Sequence, residues 1–406
     1  MLLSFLSAAA TVLLSLSKAD GIYQPGDTVK VYATVGDKVE LVHSEVAAEG
    51  PENRIFDYED TQIGWVVAPQ DYVQGVPRPK DFNRWWSRQL KAMRREKMKP
   101  VLREMPEVQD PDVVCYELEI NCIGDNPVRG YVAVPRAERE GGYPLVMYFH
   151  AAGVAGRWCR CWPAETVSMA KWGNGAICVN INAFGMENGR EQEYYDALEQ
   201  GIYKGYSTRA SESREDYFFK NMYLRAVRAL DFACTLPQWD GKRVLAYGQS
   251  QGGAQAFALA GLDKRVSAVV GIVPGGCNSA GSARKAGYDS WPYTYKSFVN
   301  SEEGQKILSY FDGCNFLGNT KAELFVEIGL MDQTCRPSAI FSALNANSAS
   351  RKGGCCSEGG SGLYGPQVTV LCSPWRYHDE PKPRYWEHWR DTIYTARMQW
   401  IDDYLQ

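Results

Sequence analysis

Six strand-length runs, largely apolar from end to end, constrain this 406-residue chain more than any other feature. They are PLVMYFH (144–150), GAICVNINAFG (175–185), KRVLAY (242–247), RVSAVVGIV (265–273), AELFVEI (322–328) and PQVTVLCSP (366–374). A strand that is apolar on both sides has to be covered on both sides, which a parallel sheet between two helical layers provides. Helix-length patterns lie between the runs. Residues 223–236 place Leu224, Val227, Leu230 and Cys234 on one face, and QGGAQAFALAGL follows the third run. Strands alternating with helices predict an α/β fold with a mostly parallel, doubly wound sheet.

The rest of the chain adds smaller parts. Residues 28–46 alternate around a Gly-Asp turn and predict a hairpin, so residues 20–70 read as a small N-terminal β element. Residues 78–98 carry Phe82, Trp85, Trp86, Leu90 and Met93 at helical spacing. Residues 71–406 then form the main domain. Residues 1–19 are apolar, with Ser17 and Ala19 placed as at a processing site, and predict a signal peptide and a secreted or periplasmic protein. No other run approaches the length of a membrane span. Of the 12 cysteines, Cys178, Cys234 and Cys372 lie in apolar stretches and read as buried thiols. Cys159/Cys161 and Cys355/Cys356 lie in polar loops and are the candidates for disulfides. The glycine-rich stretch 351–366 reads as a surface loop. The net charge of −4, with no basic run, argues against nucleic-acid binding. A homo-oligomer is neither required nor excluded.

One motif sits where the alternation is clearest. The strand KRVLAY runs into GQSQGG (248–253), with the spacing G-x-S-x-G, and a small-residue helix runs out. The bare pattern is weak; strand, sharp turn and helix together describe a nucleophile elbow at Ser250. Gly248 leaves room in the turn, and Gly252 and Gly253 let the helix approach its neighbours. The competing reading is a strand-to-helix turn with an incidental serine.

A serine hydroxyl needs a base, and in this arrangement an acid and then a histidine follow it in the chain. The chain has four histidines, and only His378 and His388 lie beyond Ser250. His378 follows the last strand, as groups at the carboxyl end of a sheet do. His388 lies off the stripe Trp386, Trp389, Ile393, Ala396, Trp400 and Tyr404 of the final helix and reads as a surface histidine. Asp332 lies in the loop after AELFVEI and would hold the imidazole; the competing reading is a turn aspartate that caps the next helix. Asp312 is less well placed. The oxyanion would be met by the N–H of Gln251 and by one from HAAGV (150–154), with His150 bracing that loop. WPYTYKSF (291–298) reads as a wall or lid. No H-E-x-x-H, phosphate loop or dinucleotide fingerprint occurs, so no metal or cofactor is expected.

YFHAAG, NINAFGMENG, DYFFKNMYLRAVRALDF, GQSQGG and GLMDQTCRP resemble the acetyl xylan esterase/cephalosporin-C deacetylase family of carbohydrate esterases. The likeness runs from about 65 to 406. It implies an α/β-hydrolase fold and deacetylation of acetylated carbohydrates. Ser250 would be the nucleophile, Asp332 the acid and His378 the base, and Ala152 and Gln251 would supply the oxyanion amides. Three positions depart from the family pattern: Ala151 replaces a glycine, Ala152 an aromatic residue, and Tyr377 the glycine before the histidine. A feruloyl or glucuronoyl esterase, a serine peptidase, and a non-catalytic carbohydrate-binding module on the same fold are the competing functions.

Overall fold

The computed structural model describes residues 11–108, 110–209, 211–279, 281, 290–292, 296–347 and 364–406. Six strands make the N-terminal part: β1 (Val12–Leu16), β2 (Ile22–Tyr23), β3 (Thr28–Val35), β4 (Lys38–Val46), β5 (Glu52–Tyr58) and β6 (Thr61–Val67). They form two three-stranded sheets, ordered β1-β3-β4 and β2-β6-β5. The predicted hairpin is β3–β4, closed at Gly36, whose φ of 59° suits a residue without Cβ. Val12, Leu14, Val29, Val31, Ile63 and Trp65 from both sheets share one core.

This unit begins earlier than expected. From Val12 the segment predicted as a signal peptide is a strand, antiparallel to β3, with Val12, Leu14 and Leu16 buried. Processing after Ala19 would remove that strand. The alternation V-L-L-S-L buries every second residue, a strand pattern that the overall apolarity of residues 1–19 conceals.

The main domain carries β7 (Pro100–Glu104), β8 (Val113–Ile123), β9 (Asn126–Pro135), β10 (Tyr143–Phe149), β11 (Ile177–Ile181), β12 (Trp239–Gln249), β13 (Ala268–Ile272), β14 (Glu323–Gly329) and β15 (Val368–Ser373). They form one sheet, ordered β15-β14-β13-β12-β10-β11-β9-β8-β7. Strands β10 to β15 run parallel, and β7, β8 and β9 add an antiparallel edge. Alternation along the apolar runs feeds two cores. Leu145, Met147 and Phe149 of β10 join one, and Val146 joins the other. The helices Phe219–Ala233 and Gln251–Leu262 cover the first face. Ile401 and Leu405 of the last helix cover the second.

The predicted helix with Phe82, Trp85, Trp86, Leu90 and Met93 is Phe82–Arg95, and all five residues are buried. The final helix departs from prediction. The buried positions are Tyr385, Trp389, Arg397, Ile401 and Leu405, while Trp386 and Ala396 are exposed. A π-helical turn over Arg390–Tyr394 accounts for the positions beyond it; Trp386 lies ahead of that turn, and its neighbour Tyr385 is buried in its place. The wider turn absorbs one extra residue, so beyond Ile393 each expected stripe position moves on by one.

The chain passes from β10 to β11 on one side and later returns to β12 on the other. That reversal opens a crevice at the carboxyl ends of the strands. At its floor, a Cβ on Gly252 would lie 2.1 Å from the Phe149 carbonyl oxygen, and one on Gly248 would lie 2.3 Å from the Gly252 carbonyl carbon. No helix among the described residues is long and apolar enough to cross a membrane. Gly252→Ala should destabilise the protein by at least about 1–3 kcal/mol, because backbone rather than a mobile side chain must move. Urea unfolding of the variant checks this; an unchanged midpoint would contradict the packing described.

Candidate active site

Ser250 ends β12 and precedes the helix Gln251–Leu262, with φ 57° and ψ −118°. A non-glycine residue there carries strain of about 1–3 kcal/mol. Its neighbours hold it: the Ser250 N–H donates to the Ile272 carbonyl (2.9 Å), and its own carbonyl accepts from Gly275 (2.9 Å) and Ala254 (3.1 Å). The turn aims Oγ at the loop after β15. His378 lies there, with Nε2 2.8 Å from Ser250 Oγ and Nδ1 2.8 Å from Asp332 Oδ2. Asp332 follows β14, and its side chain is fully buried. Its other oxygen accepts the N–H groups of Thr334 (2.7 Å) and Cys335 (2.8 Å). A carboxylate only accepts, so Nδ1 carries the proton and Nε2 presents its lone pair to the serine hydroxyl. That arrangement can deprotonate Ser250 as it attacks a carbonyl and hold the imidazolium that results.

The other candidates have different surroundings. His388 is exposed on the helix Pro383–Trp389, with its ring edge-on to Trp375 at 4.6 Å. Asp312 caps the helix Gly313–Leu317 by accepting from Cys314 (2.9 Å). His150 is buried, and its Nε2 is 2.7 Å from Asn180 Oδ1. Burial pushes its pKa down to about 4, so it is neutral at ordinary pH and braces the end of β10.

The backbone around Gln251 and Ala152 is tied together by a residue that sequence reasoning missed. The Tyr206 hydroxyl donates to Gln251 Oε1 (2.8 Å) and accepts from the Gly153 N–H (3.0 Å). It therefore fixes the spacing of the two segments that carry the candidate oxyanion amides. Trp158 Nε1 donates to the Ala152 carbonyl (3.1 Å), which turns that peptide's oxygen toward the indole. Neither residue stands in a periodic pattern or a motif, so no signal marked it.

Of the predicted wall, Trp291 is buried, and its N–H donates to the Thr334 carbonyl (2.8 Å). Lys296–Val299 is helical, and residues 293–295 lie outside the described set. The predicted surface loop at 351–366 lies outside it up to residue 363, as do Cys355 and Cys356. Cys159 and Cys161 are buried free thiols, not a disulfide. Cys178 and Cys372 are buried thiols as predicted, and Cys234 is half-buried. Asp332, Cys335 and His378 bring donor atoms within 4.8 Å of one another, the one such grouping among the described residues. Burial pushes the Cys335 thiol well up, and the other two groups already bind each other, so the set suits a hydrogen-bonded His–Asp pair beside a thiol better than a cation.

Behind the histidine lies a second feature that sequence reasoning missed. Glu327 of β14 is fully buried. It meets Arg376 Nη1 through Oε1 and Arg397 Nη1 (2.7 Å) through Oε2, and it accepts from Trp389 Nε1 (2.7 Å). Arg376 Nε also donates to the Asp379 carbonyl (3.0 Å), which spans His378. Burial alone would raise the Glu327 carboxyl; the charges of Arg376 and Arg397 outweigh it, and the net shift is downward.

Known proteins resemble this chain over most of its length. The model of the acetyl xylan esterase (AXE1) family matches residues 68–354. The chain belongs to the acetyl xylan esterase family. Acetyl esterase Axe7A of Xylanibacter ruminicola is 28% identical over 289 residues, which span 70% of this chain and 64% of that protein. The chain thus covers less than two thirds of that relative's length. An acetyl xylan esterase from Paenibacillus sp. R4 superposes with a TM-score of 0.62 at 24% identity, over 83% of this chain and 98% of that one. Acetyl xylan esterase 1 from Thermoanaerobacterium sp. JW/SL YS485 superposes with a TM-score of 0.62 at 20% identity and the same coverage. These likenesses establish the α/β-hydrolase fold expected of a family of carboxylic ester hydrolases.

Glu327→Gln would leave two buried guanidinium groups without a carboxylate, and should cost about 3–5 kcal/mol in urea unfolding. The pH dependence has a definite sign. Because the folded-state pKa is depressed, this contribution is complete above the ordinary carboxylate range and is lost as pH falls through the folded value. The Gln variant should lack that part of the acid sensitivity; identical profiles would remove Glu327 as its source.

Proposed function

We propose that the protein is a serine esterase that removes acetyl groups from acetylated xylan or its oligosaccharides. The observation that carries this reading is the chain of two 2.8 Å hydrogen bonds, Ser250–His378–Asp332, at the carboxyl ends of β12, β15 and β14. Membership of the acetyl xylan esterase family supports the choice of acyl group and of a carbohydrate alcohol.

In this reading Ser250 Oγ attacks the acetyl carbonyl carbon while His378 Nε2 takes the hydroxyl proton. The N–H groups of Ala152 and Gln251 meet the charge that develops on the carbonyl oxygen. Collapse breaks the bond to the sugar oxygen, which takes the proton back from the imidazolium and leaves as an alcohol. Water then attacks the acetyl-enzyme with His378 as its base, releasing acetate and restoring Ser250. No cofactor enters these steps. We place the enzyme outside the cytoplasm on the strength of residues 1–19. Because β1 pairs with β3, processing should fall before Val12 rather than after Ala19, and mass spectrometry of the exported protein should find residues 12–16 retained.

Ser250→Ala and His378→Ala should each lower release of acetate from acetylated xylo-oligosaccharides, and of p-nitrophenol from its acetate ester, by at least about 10³-fold. His388→Ala should stay near the wild type. Undiminished turnover by Ser250→Ala would overturn the assignment, and preferred turnover of bulky or amide substrates would redirect it.

A further inference from the structure

The N-terminal β unit meets the chain just before Asp332 and just before His378. The Gly64 N–H donates to the Pro374 carbonyl (2.8 Å), and Asn53 Nδ2 donates to the Leu330 carbonyl (3.0 Å). A Cβ on Gly64 would lie 2.6 Å from that same Leu330 oxygen, so β6 rests directly on the backbone that leads to the acid. Trp375 Nε1 donates to the Leu14 carbonyl (2.8 Å) of β1, and the Leu14 N–H donates to the Tyr385 hydroxyl (2.8 Å). Tyr377, the residue before His378, donates its hydroxyl to Gln62 Oε1 of β6. Met331, Trp375 and Tyr385 are buried in the core of the β unit rather than in that of the sheet.

We propose that the N-terminal β unit is a positioning device for the active site, and that Gln62 and Tyr377 are positioning residues acting on His378. This rests on the reading of Ser250 and His378 as nucleophile and base. The loop after β15 is gripped on one side by Arg376 and on the other by Tyr377, with His378 next in the chain. The imidazole must keep its bonds to two loops from different strands, and a small displacement of a reacting group slows chemistry steeply. Tyr377 stands where the family resemblance has a glycine. A glycine has no side chain to reach the β unit, whereas the tyrosine hydroxyl does.

The test uses the full chain and two readouts: steady-state hydrolysis of p-nitrophenyl acetate, and the rate at which a fluorophosphonate labels Ser250. Tyr377→Phe and Gln62→Ala are expected to lower kcat and the labelling rate about three- to tenfold each, the range set by one hydrogen bond of ordinary strength. KM should change less, and the double variant should be no slower than the slower single one. Thermal melting checks that each variant is folded. A wild type that labels at Ser250 while both folded variants label at its rate would overturn the positioning role alone. A wild type that neither labels nor hydrolyses the ester would overturn the underlying functional reading. Additive losses in the double variant would show that the two residues do not act through their shared bond, and would also overturn the proposal.

Discussion

A carboxylate buried in the middle of an apolar strand sets the terms for the rest of this structure. Glu327 has no exposed surface, and an isolated charge there would be costly. Its position becomes tolerable because three partners converge from two other parts of the chain. Arg376 comes from the loop that carries His378, and Trp389 and Arg397 come from the final helix. The backbone of Glu327 is engaged as well, accepting the Val273 N–H (2.8 Å) just beyond β13. One side chain thus ties the strand that leads to Asp332 to the loop that carries His378 and to the helix behind both. Removing the carboxylate does not merely delete an ion pair; it strands the cations that define the loop.

The π-helical turn belongs to the same constraint. Eight residues of regular α-helix would separate the directions of Trp389 and Arg397 by about 80°. Absorbing one extra residue brings the offset to about 20°, so that both side chains can reach one carboxylate. The irregularity over Arg390–Tyr394 lies between those two residues, where the geometry requires it. Regular periodicity is the wrong ruler for a helix whose register is set by a buried charge. The stripe expected from the sequence therefore holds at Trp389 and Ile393, takes Trp386 where Tyr385 is the buried residue, and is one residue short beyond the turn.

What could be read from the sequence depended on local pattern. Apolar runs announced β10 to β15, and glycine spacing announced the turn at Ser250, because each signal lies within a dozen neighbouring residues. The chain order of Ser250, Asp332 and His378 was legible because histidines are few and loops after strands are predictable. Tyr206, Glu327 and the contacts of the N-terminal unit were not legible. Trp375 and Leu14 are separated by 361 positions, and nothing local in either records the other. Glu327 sits in a run whose neighbours argue for burial, so its charge looks like noise until its partners are known. The buried state of Cys159 and Cys161 was missed for a related reason, since polar neighbours in the chain do not guarantee a polar environment in the fold.

These constraints converge on one atom pair. Both Asp332 oxygens are engaged: one takes two backbone N–H groups and the other takes His378 Nδ1. The carboxylate has no freedom to rotate without losing three bonds, so the imidazole is held in one tautomer and one plane. The ring's remaining freedom is translation with its own loop, which Arg376 restrains from the side of Glu327 and Tyr377 from the side of β6. Ser250 cannot adjust to meet it, because its backbone is locked in a strained turn whose glycine neighbours leave no space. With both ends fixed independently, the 2.8 Å contact between Ser250 Oγ and His378 Nε2 is a property of the whole scaffold. It follows that residues remote from the substrate, in the β unit as much as behind the sheet, set how well that contact is made.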